Sequence, residues 1–267
     1  MSRLDYDPSL KYDNWENVSL LLPEYDDLSD WQQCMYDGMK RQWELQEKTG
    51  SFYKHTSDHA GVLEDVYSYG RRVARTHQTG HYTYCVGVTY HLFHLAWKEW
   101  MGEDFEGDID FGKNFSWKVL RAHFFSYRDE QDRYLMGGPG AFPVLEARLK
   151  EVWNAGKVDG DDPFEEGFGA EFYMHSDPYK ARFGDIISMQ PHENPHKGGH
   201  ACVFVSLEKR WHSKSKQMKD IVRVWNTHPY NRYGMKSGCG LRWYWVDRKD
   251  KAGFQRILRF GGLKETD

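Results

Sequence analysis

Apolar residues follow two different periods along the chain. In residues 29–48, Trp31, Met35, Met39 and Trp43 recur at every fourth position behind a serine suited to capping, which predicts a helix with one apolar-aromatic stripe. Residues 57–75 set Val62, Val66 and Tyr67 on one helical face, with Arg71, Arg72 and Arg75 at the end where cations suit the helix dipole, so a second helix is expected. After the loop THQTGHYTY the texture turns abruptly apolar. In CVGVTYHLFHLAWKEWMG, Val88, Leu92, Leu95 and Ala96 recur at three- and four-residue intervals, predicting a helix that begins near Cys85 and stops before Gly102. FSWKVLRAHFFSYR (115–128) and FPVLEARLKEVWNAG (142–156) predict two more, among segments dense in Gly, Pro and Asp. Residues 1–30 are polar and acidic and read as an irregular lead-in.

In the last third the period shortens. Residues 183–189, 201–207, 221–228, 241–248 and 254–260 are short β-branched or aromatic runs separated by turn formers, which predicts an antiparallel sheet of about five strands. Helices followed by strands is the α+β pattern. The expected organisation is a single domain over 1–267: an N-terminal helical region (1–76), a loop and helix (77–101), a helical insertion (102–180) and the sheet (181–267).

Composition changes this picture in three ways. Only 39% of residues are hydrophobic, but 16% are aromatic, and each ring buries roughly 150–250 Å², so a ring-rich core is expected rather than disorder. The formal charge of −4, without a dense basic stripe, argues against a nucleic-acid partner. No run reaches the ~20 apolar residues of a spanning helix, and the start lacks a secretory pattern, so no membrane span is expected and the cytoplasm is slightly favoured over export. Cys34, Cys85, Cys202 and Cys239 lie far apart, without a CxxC pair, and are read as free thiols.

One of these thiols is placed for chemistry. Cys85 opens a predicted helix, where the dipole and unpaired N–H groups favour a thiolate and lower its pKa. His200 precedes a strand, and Asn226 closes the next one. With a hairpin centred near residues 213–214, His200 falls opposite Asn226 or His228, which share parity along their strand. The pattern is a nucleophile, a base and a group that orients the base.

The order of Cys on a helix, then His and a polar residue on a following sheet, resembles the papain-like superfamily, and within it the NlpC/P60 group of cell-wall cysteine peptidases and amidases. YCVGVTYHLF is similar to that family's opening of the catalytic helix, and FGDIISM with GGHACVFVSL is similar to its Gly-Asp strand and His-led strand. The resemblance covers a minor part of the chain. It implies an α+β papain-like fold with Cys85 as nucleophile, His200 as general base and Asn226 as orienter. It also implies an oxyanion site made by the Cys85 N–H and a donor from 77–84, with Gln78, Tyr82 and Tyr84 available. No metal or cofactor is required. The expected partner is a peptide or amide substrate, with peptidoglycan the family default. The family commonly has Asp before and Ser after the cysteine, where they grip a substrate amine. Here Tyr84 and Val86 stand there, which favours a different amide or isopeptide, and acyl transfer to an amine fits the same residues.

Two other classes compete. His192, His196 and His200, with Glu193, imitate metal-ligand spacing, although Pro191, Pro195 and Gly198–Gly199 oppose the required helix. The acidic DGDDPFEE (159–166) lacks the glycine and final Glu of a calcium loop. A non-catalytic module would use Trp211, Tyr230, Tyr233, Trp243 and Trp245 as a stacking surface, against the plainer reading that Trp243 and Trp245 fill one side of a sheet.

Overall fold

A computed structural model of the chain describes residues 14–53, 61–68, 71–76, 82–102, 126–128, 134–136, 172–175, 177–190, 200–228, 238–246 and 253–260. The helices among them are α1 (Trp15–Ser19), α2 (Asp30–Thr49) and α3 (Cys85–Met101). The strands are β1 (Phe52–Tyr53), β2 (Val66–Ser68), β3 (Arg71–Ala74), β4 (Tyr82–Thr83), β5 (Ser126–Arg128), β6 (Tyr134–Met136), β7 (Phe172–His175), β8 (Ile186–Gln190), β9 (His200–His212), β10 (Gln217–His228), β11 (Gly238–Trp245) and β12 (Gly253–Phe260).

Local chemistry accounts for α2. The Gln32 side chain reaches back to accept the Ser29 backbone N–H at 3.1 Å, and the helix stops at Gly50 in the left-handed region. Its stripe of Trp31, Met35, Met39 and Trp43 is buried throughout, as the four-residue spacing requires. These residues pack with α3 against one face of an antiparallel sheet of order β11-β10-β9-β8-β12-β7. Alternation along the strands divides the interior. Ala201, Val203, Val205, Trp225 and Leu241 face the helices, while Cys202, Phe204, Val222 and Val224 join Ile187 and Ile257 in a smaller core on the opposite face. The protein is therefore α+β, with the described helices α2 and α3 on one side of the sheet.

Polar anchors fix the helices on the sheet. Trp225, fully buried, donates its indole N–H to Gln42 Oε1 at 2.8 Å, and Gln42 Nε2 donates to the Val88 carbonyl at 2.8 Å, so one glutamine joins α2, α3 and β10. Gln46 grips the start of β11, accepting the Cys239 N–H and donating to its carbonyl. Gly238, at φ 115°, lies so close that a Cβ there would collide with Gln46 Oε1. On the far side, Asp185 accepts from Arg259 Nε and Nη2, each at 2.8 Å, and from the Arg182 N–H at 2.9 Å, tying the entry to β8 to β12.

Several expectations need correction. Within the helix expected over 57–75, the described residues are not helical: β2 and β3 pair antiparallel there. Arg72 pairs with Asp65 at 3.0 Å, and Asp65 also accepts the Thr76 N–H at 2.8 Å. Gly61, at φ 71°, sits against the Tyr84 ring, where a Cβ would come within 2.6 Å, and this close approach is incompatible with a helical start. The helix expected to end at residue 128 gives way at its end to β5, paired with β6, and residues 142–156 lie outside the described residues. Within the expected helical insertion, β7 joins the sheet as an extra edge strand. The lead-in carries α1 and a 3-10 turn at Tyr25–Asp27.

Helix α3 carries two buried histidines, His91 and His94. His91 stands 3.6 Å from Glu64, and its presence holds the Glu64 carboxyl down to about 2. Burial, reinforced by His91 and Lys98, holds His94 down to about 3, so it is neutral in the folded protein. An unfolded chain would protonate His94 below its ordinary pKa of about 6.5 while the folded one does not. Stability should therefore fall by about 1.4 kcal/mol for each pH unit below ~6.5, until the folded group titrates. Urea midpoints at pH 7 and pH 5 measure this, and His94→Gln should flatten the difference.

Candidate active site

Cys85 is the first residue of α3, and the segment before it is tied down at three points. β4 pairs in parallel with β1, Thr83 Oγ1 lies 2.9 Å from Thr227 Oγ1 inside the protein, and the Tyr84 ring packs on Gly61. Tyr84 caps the helix with an extended backbone (φ −145°, ψ 165°), and Thr89 Oγ1 donates to the Cys85 carbonyl at 2.9 Å. Tyr84 and Val86, on either side of Cys85, are both buried in the helix-side core.

The sulfur is surrounded by backbone donors. The N–H groups of Ala201, Val86 and Cys85 itself point at it, two from the helix start and one from the start of β9. They pull the thiol pKa down, but complete burial pushes it up by more, and the net direction is upward. This corrects the expectation of a depressed thiol: the backbone N–H groups favour the thiolate, and desolvation outweighs them.

The sheet parts where the sulfur enters. From Gln217–His212 to Trp225–Val203, β10 pairs with β9, interrupted by a bulge. Beyond that, residues 200–202 pair with β8 and residues 226–228 with β11. Among the described residues no backbone pair joins the two ends, and the Ala201 N–H turns to Cys85 instead. The turn between β9 and β10 is centred at residues 214–215, one beyond the expected 213–214, and the pairing stops short of His200.

His200 opens β9 opposite Met189 on β8, with its backbone adjacent to the N–H that reaches Cys85. The side chains of His200 and His228, and all of Gln78, lie outside the described residues. Asn226 is fully buried on the face of Val222 and Val224, away from α3, and donates from Nδ2 to Tyr244 Oη at 3.2 Å. Its neighbour Thr227 is the residue that faces the segment leading to Cys85. The structure thus brings Cys85 to the start of β9, and places Asn226 on a neighbouring strand beside a tyrosine the sequence reading did not single out. The Tyr244 ring is partly exposed, but its hydroxyl end is buried, and that burial, followed by the nearby Cys202, pushes its pKa up.

Tyr53 was also missed. Its pKa is raised by burial and then by Cys85, so its phenol lies within electrostatic reach of the thiol. Two-residue β1 has too little periodicity to reveal this. Of the sequence-predicted donors, Tyr82 makes an edge contact with Phe52 at 4.8 Å and the Tyr84 ring is taken up by Gly61. Cys202 sits in the opposite core, and the four cysteines form no disulfide with one another, with Cys34 and Cys239 pushed up to about 12, chiefly by burial.

His192, Glu193, His196 and the 159–166 stretch lie outside the described residues, among which no group of three His, Cys, Asp or Glu is arranged to hold a metal. Tyr230 and Tyr233 are likewise outside. Trp243 and Trp245 meet edge to face at 5.2 Å, with Arg210 4.4 Å over the first and His212 against the second, so these rings pack with one another and their neighbours; Trp211 is exposed. No described helix is long and apolar enough to cross a membrane. Comparison of the chain with protein-family models, with curated proteins and with solved structures finds no match.

Proposed function

We propose that the protein is a papain-like cysteine amidase that cleaves an amide or isopeptide bond through an acyl-enzyme. The observation that carries this reading is the Cys85 sulfur at the head of α3, in the parting between β9 and β10, receiving the N–H of the residue after His200. In the proposed cycle the Cys85 proton passes to the His200 imidazole as the sulfur attacks the carbonyl carbon. The oxyanion is held by backbone N–H groups, with the Tyr53 phenol as a further donor. The C–N bond breaks as the imidazolium protonates the amine. Water then attacks the thioester, giving its proton to His200, and the acid and the thiol are released. Asn226 orients the imidazole.

The raised thiol pKa sets the resting form. Burial keeps Cys85 as the neutral thiol, so its attack requires a base that takes the proton as the bond forms. The buried Tyr84 and Val86 supply no carboxylate for a substrate amine, which favours amides lacking a free amine next to the scissile bond. A cell-wall peptide is the first substrate to try.

Limiting iodoacetamide, applied to the native protein from pH 5 to pH 9 with peptide mapping, tests the pair. Cys85 should react ahead of Cys34, Cys202 and Cys239 at pH 7, with a rate that rises through pH 6–7 and collapses in His200→Ala. A Cys85 that is inert while folded, or indifferent to His200, sinks the proposal.

A further inference from the structure

The β9–β10 hairpin runs on past its neighbours. β11 leaves β10 where the Val246 N–H donates to the Asp220 carbonyl at 3.0 Å, and β8 leaves β9 at Val203, so among the described residues no strand lies along either edge of Lys209–Lys219. At ~3.3 Å per residue this arm reaches about 10 Å beyond its last bond to β11. Its two faces are finished differently. On one, Arg210 lies 4.4 Å over the Trp243 ring, and His212 meets Trp245 edge to face at 4.8 Å while its Nδ1 accepts the Ser215 N–H at 3.2 Å, which holds the turn. On the other, Trp211 and Met218 stand opposite each other in register and are 54% and 55% exposed. Leu207 follows on the same face, and Tyr179 reaches it through a bond to Asp220, so four of the eight large apolar side chains exposed among the described residues collect here.

The arm is also basic, in an acidic chain. Residues 209–219 hold five cations, Lys209, Arg210, Lys214, Lys216 and Lys219, and no acid, whereas the whole chain carries −4. Lys209 pairs with Asp220 at 3.6 Å, but Lys214 and Lys216, at the turn, are exposed and make no ion pair among the described residues. Lys216 takes a left-handed φ of 52°, which glycine adopts more easily, so the backbone does not select a lysine there. At physiological salt a charge is felt over about 8 Å, so a ligand at the turn meets the charge of the arm rather than that of the chain.

A surface that covers this arm has to offer negative charge around an apolar interior. A bilayer containing anionic lipid does so: tryptophan settles at the interface, apolar tips enter the acyl boundary, and lysines reach the headgroups. Trp211 and Met218 together expose on the order of 200 Å², little beside the ~800 Å² that each partner gives to a stable protein complex. A single-stranded nucleic acid would stack on Trp211 but gain nothing comparable from Met218. We propose that the tip of the β9–β10 hairpin is a membrane-surface anchor, in which Trp211 and Met218 enter the headgroup–acyl boundary of an anionic bilayer and Lys214 and Lys216 engage its headgroups. The anchor requires nothing of the amidase reading.

The test is co-sedimentation of the full-length protein with vesicles of phosphatidylcholine, either alone or mixed with phosphatidylserine. Binding is expected to the mixed vesicles only, and should weaken as salt is raised. Replacing both lysines, Lys214→Gln with Lys216→Gln, should weaken it by about 30-fold. Trp211→Ser should weaken it at least about tenfold while leaving the salt dependence in place. Lys40→Gln with Lys48→Gln, the same change at two exposed positions on α2, should have no effect. The altered side chains all stand in solvent, and circular dichroism checks that each variant keeps the wild-type fold. Equal binding to the neutral vesicles, or losses no larger at the tip than on α2, overturn the anchor. Protein that stays in the supernatant with the mixed vesicles overturns it as well, and if a labelled single-stranded oligonucleotide then binds in a manner that needs Lys214 and Lys216, the surface belongs to nucleic acid instead.

Discussion

Cys85→Ala is expected to lower amide hydrolysis by at least about 10⁴-fold, with no comparable loss of stability. The sulfur is the only atom removed, and its neighbours are backbone N–H groups that belong to a helix start and a strand start, both of which persist without it. Losing a small buried group at the helix edge costs on the order of 1 kcal/mol, which would lower the melting temperature by a few degrees. The measurement is hydrolysis of a panel of cell-wall peptides and simple amides by wild type and variant, alongside thermal unfolding followed by circular dichroism. Undiminished turnover in the variant removes Cys85 from the mechanism. Unfolding of the variant assigns it a packing role instead.

The largest stability effect is expected at Asp185. Asp185→Ala should cost about 3–5 kcal/mol, because it strands a buried guanidinium. The Asp185 and Arg259 side chains are 3% and 12% exposed, and they meet through two bonds of 2.8 Å. Removal of the carboxylate also leaves the Arg182 N–H without its acceptor. The backbone of the same residue accepts the Phe204 N–H at 2.8 Å, so any shift there is passed to β9, the strand that carries His200. Pairing Asp185→Ala with Arg259→Leu should recover much of the loss, since neither charge is then buried. Urea unfolding of the two single variants and the double variant measures this; a double variant no better than Asp185→Ala shows that the pair is not what stabilises the region.

The Gly-Asp segment that suggested a family resemblance thus has a structural account that does not depend on that resemblance. Gly184 takes a positive φ of 90° and donates its N–H to the Phe204 carbonyl at 3.0 Å, while Asp185 holds the arginine. Both residues organise the approach to β8, and neither is called on for chemistry.

Much of the fold was legible because it is written in local periodicity. The stripe of Trp31, Met35, Met39 and Trp43 can be buried only by a helix, and the alternation in residues 201–207 and 221–228 can be divided between two cores only by strands. The position of Cys85 at a helix start follows from the same reasoning, as does the hairpin centre that brings the ends of β9 and β10 to one edge.

Tertiary structure decided the rest, because each remaining feature depends on a partner distant in sequence. Residues 57–75 carry apolar spacing that a helix could use, yet Gly61 against Tyr84 and Asp65 against Thr76 hold the segment in another conformation. The β9–β10 ladder ends at Val203–Trp225 because the Ala201 N–H goes to a helix more than a hundred residues earlier in the chain. The Cys85 thiol is raised rather than lowered because desolvation is a property of everything packed around it, whereas the dipole belongs to its own helix. The sequence determined which residues lie on which face of each helix and strand; the packing of those faces decided which polar groups lost water, and with it the protonation of the candidate nucleophile.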